Sequence, residues 1–157
     1  LNDSEPPVPS SAREGRLSHA VFQLARAHRS RAAAMLRALD LHPGQELLLM
    51  RLFDKDGQPQ SALLDSVGLD HSTVSKSLRR MRDAGLLTRE PAEHDRRAAV
   101  IWLTDKGRAL REPLTAMWRA LEETSVRGLS PEEVDTFIDI ARRIEAALGD
   151  RDCPPPT

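Results

Sequence analysis

The sequence predicts a mainly α-helical protein carrying a small β-hairpin wing, a winged helix-turn-helix with further helices at both ends. Three observations predict it. Apolar residues recur at helical spacing over most of residues 16–148, two short helical segments are separated only by Gly68-Leu69-Asp70, and after Gly85 the period changes from 3.6 to 2 and back again.

Residues 1–14 hold Pro6, Pro7, Pro9, Ser10 and Ser11 with few apolar groups to offset the entropy of ordering, so they read as a disordered tail. The first helix, residues 16–39, shows Leu17, Val21, Leu24, Met35, Leu36 and Leu39. Pro43 suits a first helical turn, and Leu47, Leu48, Met50, Leu52 and Phe53 make a second helix that Asp54-Lys55-Asp56-Gly57 closes. Two shorter helices follow at 60–67 and 71–84, with Gly85 as C-cap because glycine adopts the left-handed conformation without steric cost. Residues 86–89 and 98–103 read as strands joined by a polar loop at 91–97.

Thr104 is an N-cap for a long helix over 105–127 with Leu110, Leu114, Met117, Trp118 and Leu121 on one stripe and a kink expected at Pro113. Ser130, Pro131 and Glu133 form a capping box that opens the last helix, with Val134, Phe137, Ile138, Ala141, Ile144 and Leu148 as its apolar face and Gly149 as its stop. Three prolines at 154–156 make 150–157 a second tail. The expected organisation is therefore a dimerisation helix at 15–42, a winged helix-turn-helix lobe at 43–104 and C-terminal dimerisation helices at 105–149.

Several function classes are disfavoured. Net charge is −1, so a nucleic-acid partner must be met by a local patch. No apolar run reaches the ~18 residues of a membrane span, and the run at Leu47, Leu48, Leu49 and Met50 stops at Arg51. A lone cysteine, Cys153, excludes an intrachain disulfide, and no cationic-then-apolar leader pattern is present; a cytoplasmic location is expected. The histidines at 19, 28, 42, 71 and 94 form no i, i+4 pair, so neither a metal site nor a cofactor is expected. No phosphate loop, His-Glu metal motif or nucleophile elbow points to an enzyme.

The chemistry concentrates in the helix at 71–84. Val74, Leu78 and Met81 lie at i, i+4 and i+7 and face inward, leaving His71, Ser72, Thr73, Ser75, Lys76, Arg79 and Arg80 outward or flanking. Short hydroxyls can reach base edges or phosphates while Lys and Arg neutralise backbone charge. Ser61 on the preceding helix joins this candidate DNA-binding set. Residues 71–97 carry +3 against −1 for the chain. Asp95, Arg96 and Arg97 at the hairpin tip suit a wing that lowers an arginine into a minor groove; a polar turn in which Asp95 caps its own backbone is the alternative.

Residues 63–110, LLDSVGLDHSTVSKSLRRMRDAGLLTREPAEHDRRAAVIWLTDKGRAL, resemble the multiple antibiotic resistance regulator (MarR) family, from the helix-turn-helix through Asp-Arg-Arg to Leu-Thr-x-Lys-Gly. The resemblance implies a two-fold symmetric bacterial transcription regulator, usually a repressor. On the matched positions it implies that the helix from His71 reads the major groove and that Arg97, supported by Asp95, enters the minor groove.

The terminal helices carry apolar stripes that a small winged domain cannot cover, so a homodimer and an inverted-repeat operator in double-stranded DNA are expected. The family similarity further implies a small aromatic or anionic effector in a crevice. His19, Gln23, Arg26, Met50, Phe53 and Trp118 are candidates to line it, plain core and surface being the alternative. A rival reading is a helical dimeric adaptor whose winged domain binds protein; the +3 segment argues against it.

Overall fold

The computed structural model describes residues 14–68, 70–92 and 98–149. Among these the order is α1 (Arg16–Arg37), α2 (Gln45–Asp54), β1 (Gln58–Pro59), α3 (Gln60–Ser66), α4 (His71–Asp83), β2 (Leu87–Pro91), β3 (Ala99–Leu103), α5 (Asp105–Ala109), α6 (Arg111–Ser125) and α7 (Pro131–Gly149). The chain divides into two compact units, one up to Arg119 and one from Ala120. No helix among the described residues is long and apolar enough to cross a membrane.

In the first unit the apolar periodicity closes one core. Leu36 from α1, Leu48, Leu49 and Leu52 from α2, Leu63 from α3 and Val74, Leu78 and Met81 from α4 pack with Leu87, Ile101 and Leu103 of the sheet and Leu114 and Met117 of α6. Each such side chain contributes about 1.5–3 kcal/mol through the apolar area it removes from water. Much of α1 lies outside that core: Leu17, Val21, Phe22 and Leu24 are exposed. The helix ends two residues before the expected position because Asp40 takes the left-handed conformation (φ 54°), and Leu41 N–H returns to the Leu36 carbonyl at 3.0 Å.

The sheet is antiparallel in the order β1-β3-β2. Its hairpin registers Leu87 against Leu103 and Pro91 against Ala99. Strand β1, which pairs Gln58 with Ile101, has no counterpart in the sequence reading, since two residues carry no period. It is held by tertiary contacts.

The single kinked helix expected over 105–127 is instead two helices that meet at Leu110. Pro113 has no N–H to offer the Ala109 carbonyl, so the ladder cannot run through. Leu110 N–H turns to Gly107 at 3.2 Å, and the ladder restarts with Leu114 N–H on Leu110 at 2.9 Å. In the second unit the capping box forms as expected, Ser130 N–H donating to Glu133 at 2.7 Å and Glu133 N–H to Ser130 Oγ at 3.3 Å. Helix α7 buries none of its residues, and Phe137, Ile138, Ile140 and Leu148 are exposed.

Candidate nucleic-acid interface

Helix α4 begins where Asp70 supplies the cap. Its carboxylate accepts the Thr73 N–H at 2.8 Å and the Ser72 hydroxyl at 2.7 Å, and these donors hold its pKa well below the usual carboxylate range. An anion here also complements the positive end of the helix dipole. At the far end Gly85 adopts φ 73°, Gly85 N–H bonds the Arg82 carbonyl at 2.9 Å and Leu86 N–H bonds Met81 at 2.9 Å. This pair of bonds is a Schellman ending, and Leu86 and Met81 share the core that completes it.

Between these caps Val74 and Met81 are fully buried and Leu78 nearly so. That stripe turns the other face outward: His71, Ser72, Thr73, Ser75, Lys76, Arg79 and Arg80 are all exposed. His71 Nε2 lies 3.2 Å from Asp65 on α3, and Ser61 is exposed on the same helix. The α4 candidates therefore share one accessible side. Asp95, Arg96 and Arg97 lie outside the described residues; in the hairpin the Ala92 N–H bonds the Ala98 carbonyl at 3.0 Å.

A cleft of about 180 Å³ opens between α4 and the sheet, lined by Gln60, Ser75, Leu78, Arg79, Arg82, Leu87, Thr88, Arg89 and Ile101. Among the described residues three guanidinium-bearing ones border it and no carboxylate does. Arg89 Nε donates to Gln60 Oε1 at 3.2 Å, which holds its side chain beside α3, while Arg82 makes a long 3.9 Å contact to Asp83. Clustered guanidinium forks suit phosphate oxygens, which accept paired N–H bonds. Sequence reasoning counted Arg82 and Arg89 as charge but not as part of the site. The i, i+3 spacing of Arg79 and Arg82 was a usable signal; nothing local places Arg89 beside them.

The candidates for a ligand crevice fall into two groups. On α1, Arg26 donates to Gln23 Oε1 at 2.9 Å and Gln23 Nε2 approaches His19 Nε2 at 3.4 Å, a continuous polar string. Phe53 and Trp118 are half-buried against the core, Arg111 stacks 5.1 Å over the Phe53 ring and donates to the Phe53 carbonyl, and Met50 is exposed. The Trp118 indole N–H is buried with no hydrogen-bond partner among the described residues.

The family model described as the MarR family matches residues 30–98. Over 126 residues the chain is 29% identical to the transcriptional regulator HosA of Escherichia coli O157:H7, covering 80% of this chain and 92% of HosA. A structure of mutant E. coli MarR complexed with operator DNA superposes with a TM-score of 0.79 at 18% identity, over 87% of this chain and 99% of that one. The structure of Bordetella bronchiseptica BpsR, whose DNA binding is regulated by 6-hydroxynicotinic acid, matches with a TM-score of 0.67 at 24% identity, over 80% and 98%. These structural likenesses carry the fold, and the curated relative is a regulator, not an enzyme. Taken with its winged helix-turn-helix, these matches make the chain similar in sequence and fold to the MarR family of transcription regulators.

Proposed function

We propose that this chain is a repressor that binds an inverted-repeat operator as a homodimer and is released by a small aromatic or anionic effector. The observation that carries the reading is the outward face of α4, where Ser75, Lys76 and Arg79 stay accessible because Val74, Leu78 and Met81 are buried. In this reading α4 enters the major groove. Arg79, Arg82 and Arg89 meet phosphates, and the wing carries Arg97, supported by Asp95 and flanked by Arg96, toward the minor groove.

The exposed apolar side chains on α1 and on α7 support dimerisation, with 15–42 and 105–149 as the contributing segments and 43–104 as the reading lobe. Two copies would present their α4 helices about 34 Å apart, or a multiple of it, which matches a palindrome. The 6-hydroxynicotinic acid of BpsR supports the effector class, and the α1 string of His19, Gln23 and Arg26 with Met50, Phe53 and Trp118 is the set proposed to meet it. Such a ligand releases DNA only by preferring the α4 spacing that does not fit the operator. A chromosomal target goes with a cytoplasmic location.

The test is a mobility shift with duplexes selected from a random pool, comparing the natural chain with a double variant, Arg79→Ala and Arg97→Ala. Loss of the shift in the variant is the expected result. Undiminished binding would overturn the site, and capture of a protein partner with no DNA preference would favour the adaptor reading.

A further inference from the structure

Three consecutive carbonyls just beyond α4 are all claimed by residues 104–106. The Ala84 carbonyl accepts from Lys106 Nζ at 2.9 Å, the Gly85 carbonyl from the Thr104 hydroxyl at 2.6 Å and the Leu86 carbonyl from the Thr104 N–H at 3.0 Å. Gly107 completes the fit, because a Cβ there would collide with the Leu86 carbonyl oxygen. Thr104 also accepts the Gly107 N–H at 3.0 Å as the cap of α5, so one hydroxyl joins the start of α5 to the end of α4.

The helix does not need these bonds to end. Its Arg80, Met81 and Arg82 carbonyls are already satisfied by the Ala84, Leu86 and Gly85 N–H groups. What the extra donors do is tie the end of α4 to the corner between β3 and α5. That corner is itself anchored: Asp56 accepts the Leu103 N–H at 2.9 Å and the Arg108 guanidinium at 2.9 Å.

We infer that Lys106 and Thr104 are positioning residues for DNA recognition, fixing the angle at which α4 leaves the sheet; Lys106 acts through α4 and not on DNA. The inference rests on the reading of α4 as the DNA-contacting helix. The apolar stripe of α4 resists withdrawal from the core but resists tilting less, since dispersion contacts are non-directional. Hydrogen bonds are directional. A 13-residue helix is about 20 Å long, so a tilt of roughly 5° about its C-terminal end carries the N-terminal residues about 2 Å, beyond hydrogen-bonding tolerance. The Lys106 ammonium is further favoured by the negative end of the α4 dipole.

The experiment measures affinity by fluorescence anisotropy for a duplex selected by the natural chain and for a scrambled duplex, each across a salt series. The variants are Lys106→Met, Thr104→Val and Thr104→Ser. Because Thr104→Val also removes the α5 cap and can cost folding, the exposed Lys106 keeps the test decisive, and Thr104→Ser retains both hydroxyl bonds. Lys106→Met should weaken the selected duplex by about tenfold, the scale of one lost charge-assisted bond, with unchanged scrambled-duplex affinity and unchanged salt slope. Thr104→Ser should behave as the natural chain.

Unchanged affinity for the selected duplex overturns the inference. So does equal weakening on both duplexes, which marks lost active protein, and so does a salt slope shallower by about 0.9 per protomer, which marks Lys106 as a phosphate contact. A natural chain that selects no duplex overturns the DNA reading itself, a separate outcome visible before any variant is made.

Discussion

Asp56 accepts the backbone N–H of Leu103 at 2.9 Å across 47 positions of sequence, pinning the turn after α2 to the last residue of β3. Its second oxygen holds Arg108 at 2.9 Å. Asp56→Ala orphans a part-buried N–H and should lower stability by about 1–3 kcal/mol. Asp56→Asn keeps an acceptor for that N–H and loses only the pairing with a half-exposed arginine, a cost below about 1 kcal/mol. Urea unfolding of both variants checks the order, and a larger loss for Asn than for Ala would refute it.

Two glycines should respond differently to alanine. At Gly107 the new Cβ meets backbone, the Leu86 carbonyl, which cannot swing aside, so the cost is at least about 2 kcal/mol. Gly85 has open space around it but φ 73°, so its cost is the left-handed penalty of about 1–2 kcal/mol. Thermal or urea unfolding ranks them, and equal or reversed losses count against the packing at Gly107.

Acid dependence follows from two carboxylates with opposite shifts. Asp70 is held below its ordinary value of 3.8 by the Ser72 and Thr73 donors, so the folded state binds its proton less readily than the unfolded chain. Its stabilisation is complete above 3.8 and is lost as pH falls toward the depressed value; Asp70→Asn should flatten that acid limb. Glu46 is raised above 4.5 by burial, against the bonds from its own N–H and from Gly44. The folded state therefore favours its proton, and Glu46→Gln should be more stable than the natural chain at neutral pH, the gap closing as pH falls through the raised value. Urea midpoints measured from pH 7 downward decide both signs.

Salt should separate contact from packing. If Arg79 and Arg89 meet phosphates, each change to Ala makes the slope of log K against log salt shallower by about 0.9 per contact, or about twice that per dimer. Anisotropy titrations give the slope, and an unaltered slope removes that residue from the interface.

The oligomer is testable on the exposed faces of α1 and α7. Phe22→Glu and Phe137→Glu place charge on side chains that are exposed in the single chain, so neither should disturb the protomer core. Light scattering should report twice the 17.5 kDa chain mass for the natural protein and the single mass for the variants. A natural chain that stays monomeric at high concentration rejects the dimer.

Most helices of this chain were legible because their signals act within about four residues. Val74, Leu78 and Met81 announce which side of α4 is buried, Ser130 and Glu133 announce the start of α7, and Gly85 announces the end of α4. The break at Leu110 was half legible. Pro113 signals a defect, but whether a helix bends or divides depends on how the turn before it is packed, and Gly107 in that turn is held against Leu86.

By itself the sequence determined the outward cations of α4, the hairpin beside it and the apolar faces of α1 and α7, since periodicity and capping are properties of neighbouring residues. Only the tertiary structure decided that Arg89 borders the same cleft as Arg79 and that Lys106 grips Ala84 across 22 positions, while β1 exists only through its pairing with β3. The reason is directional: a hydrogen bond between distant residues depends on where two backbones pass each other, and the core sets that path, not any local pattern.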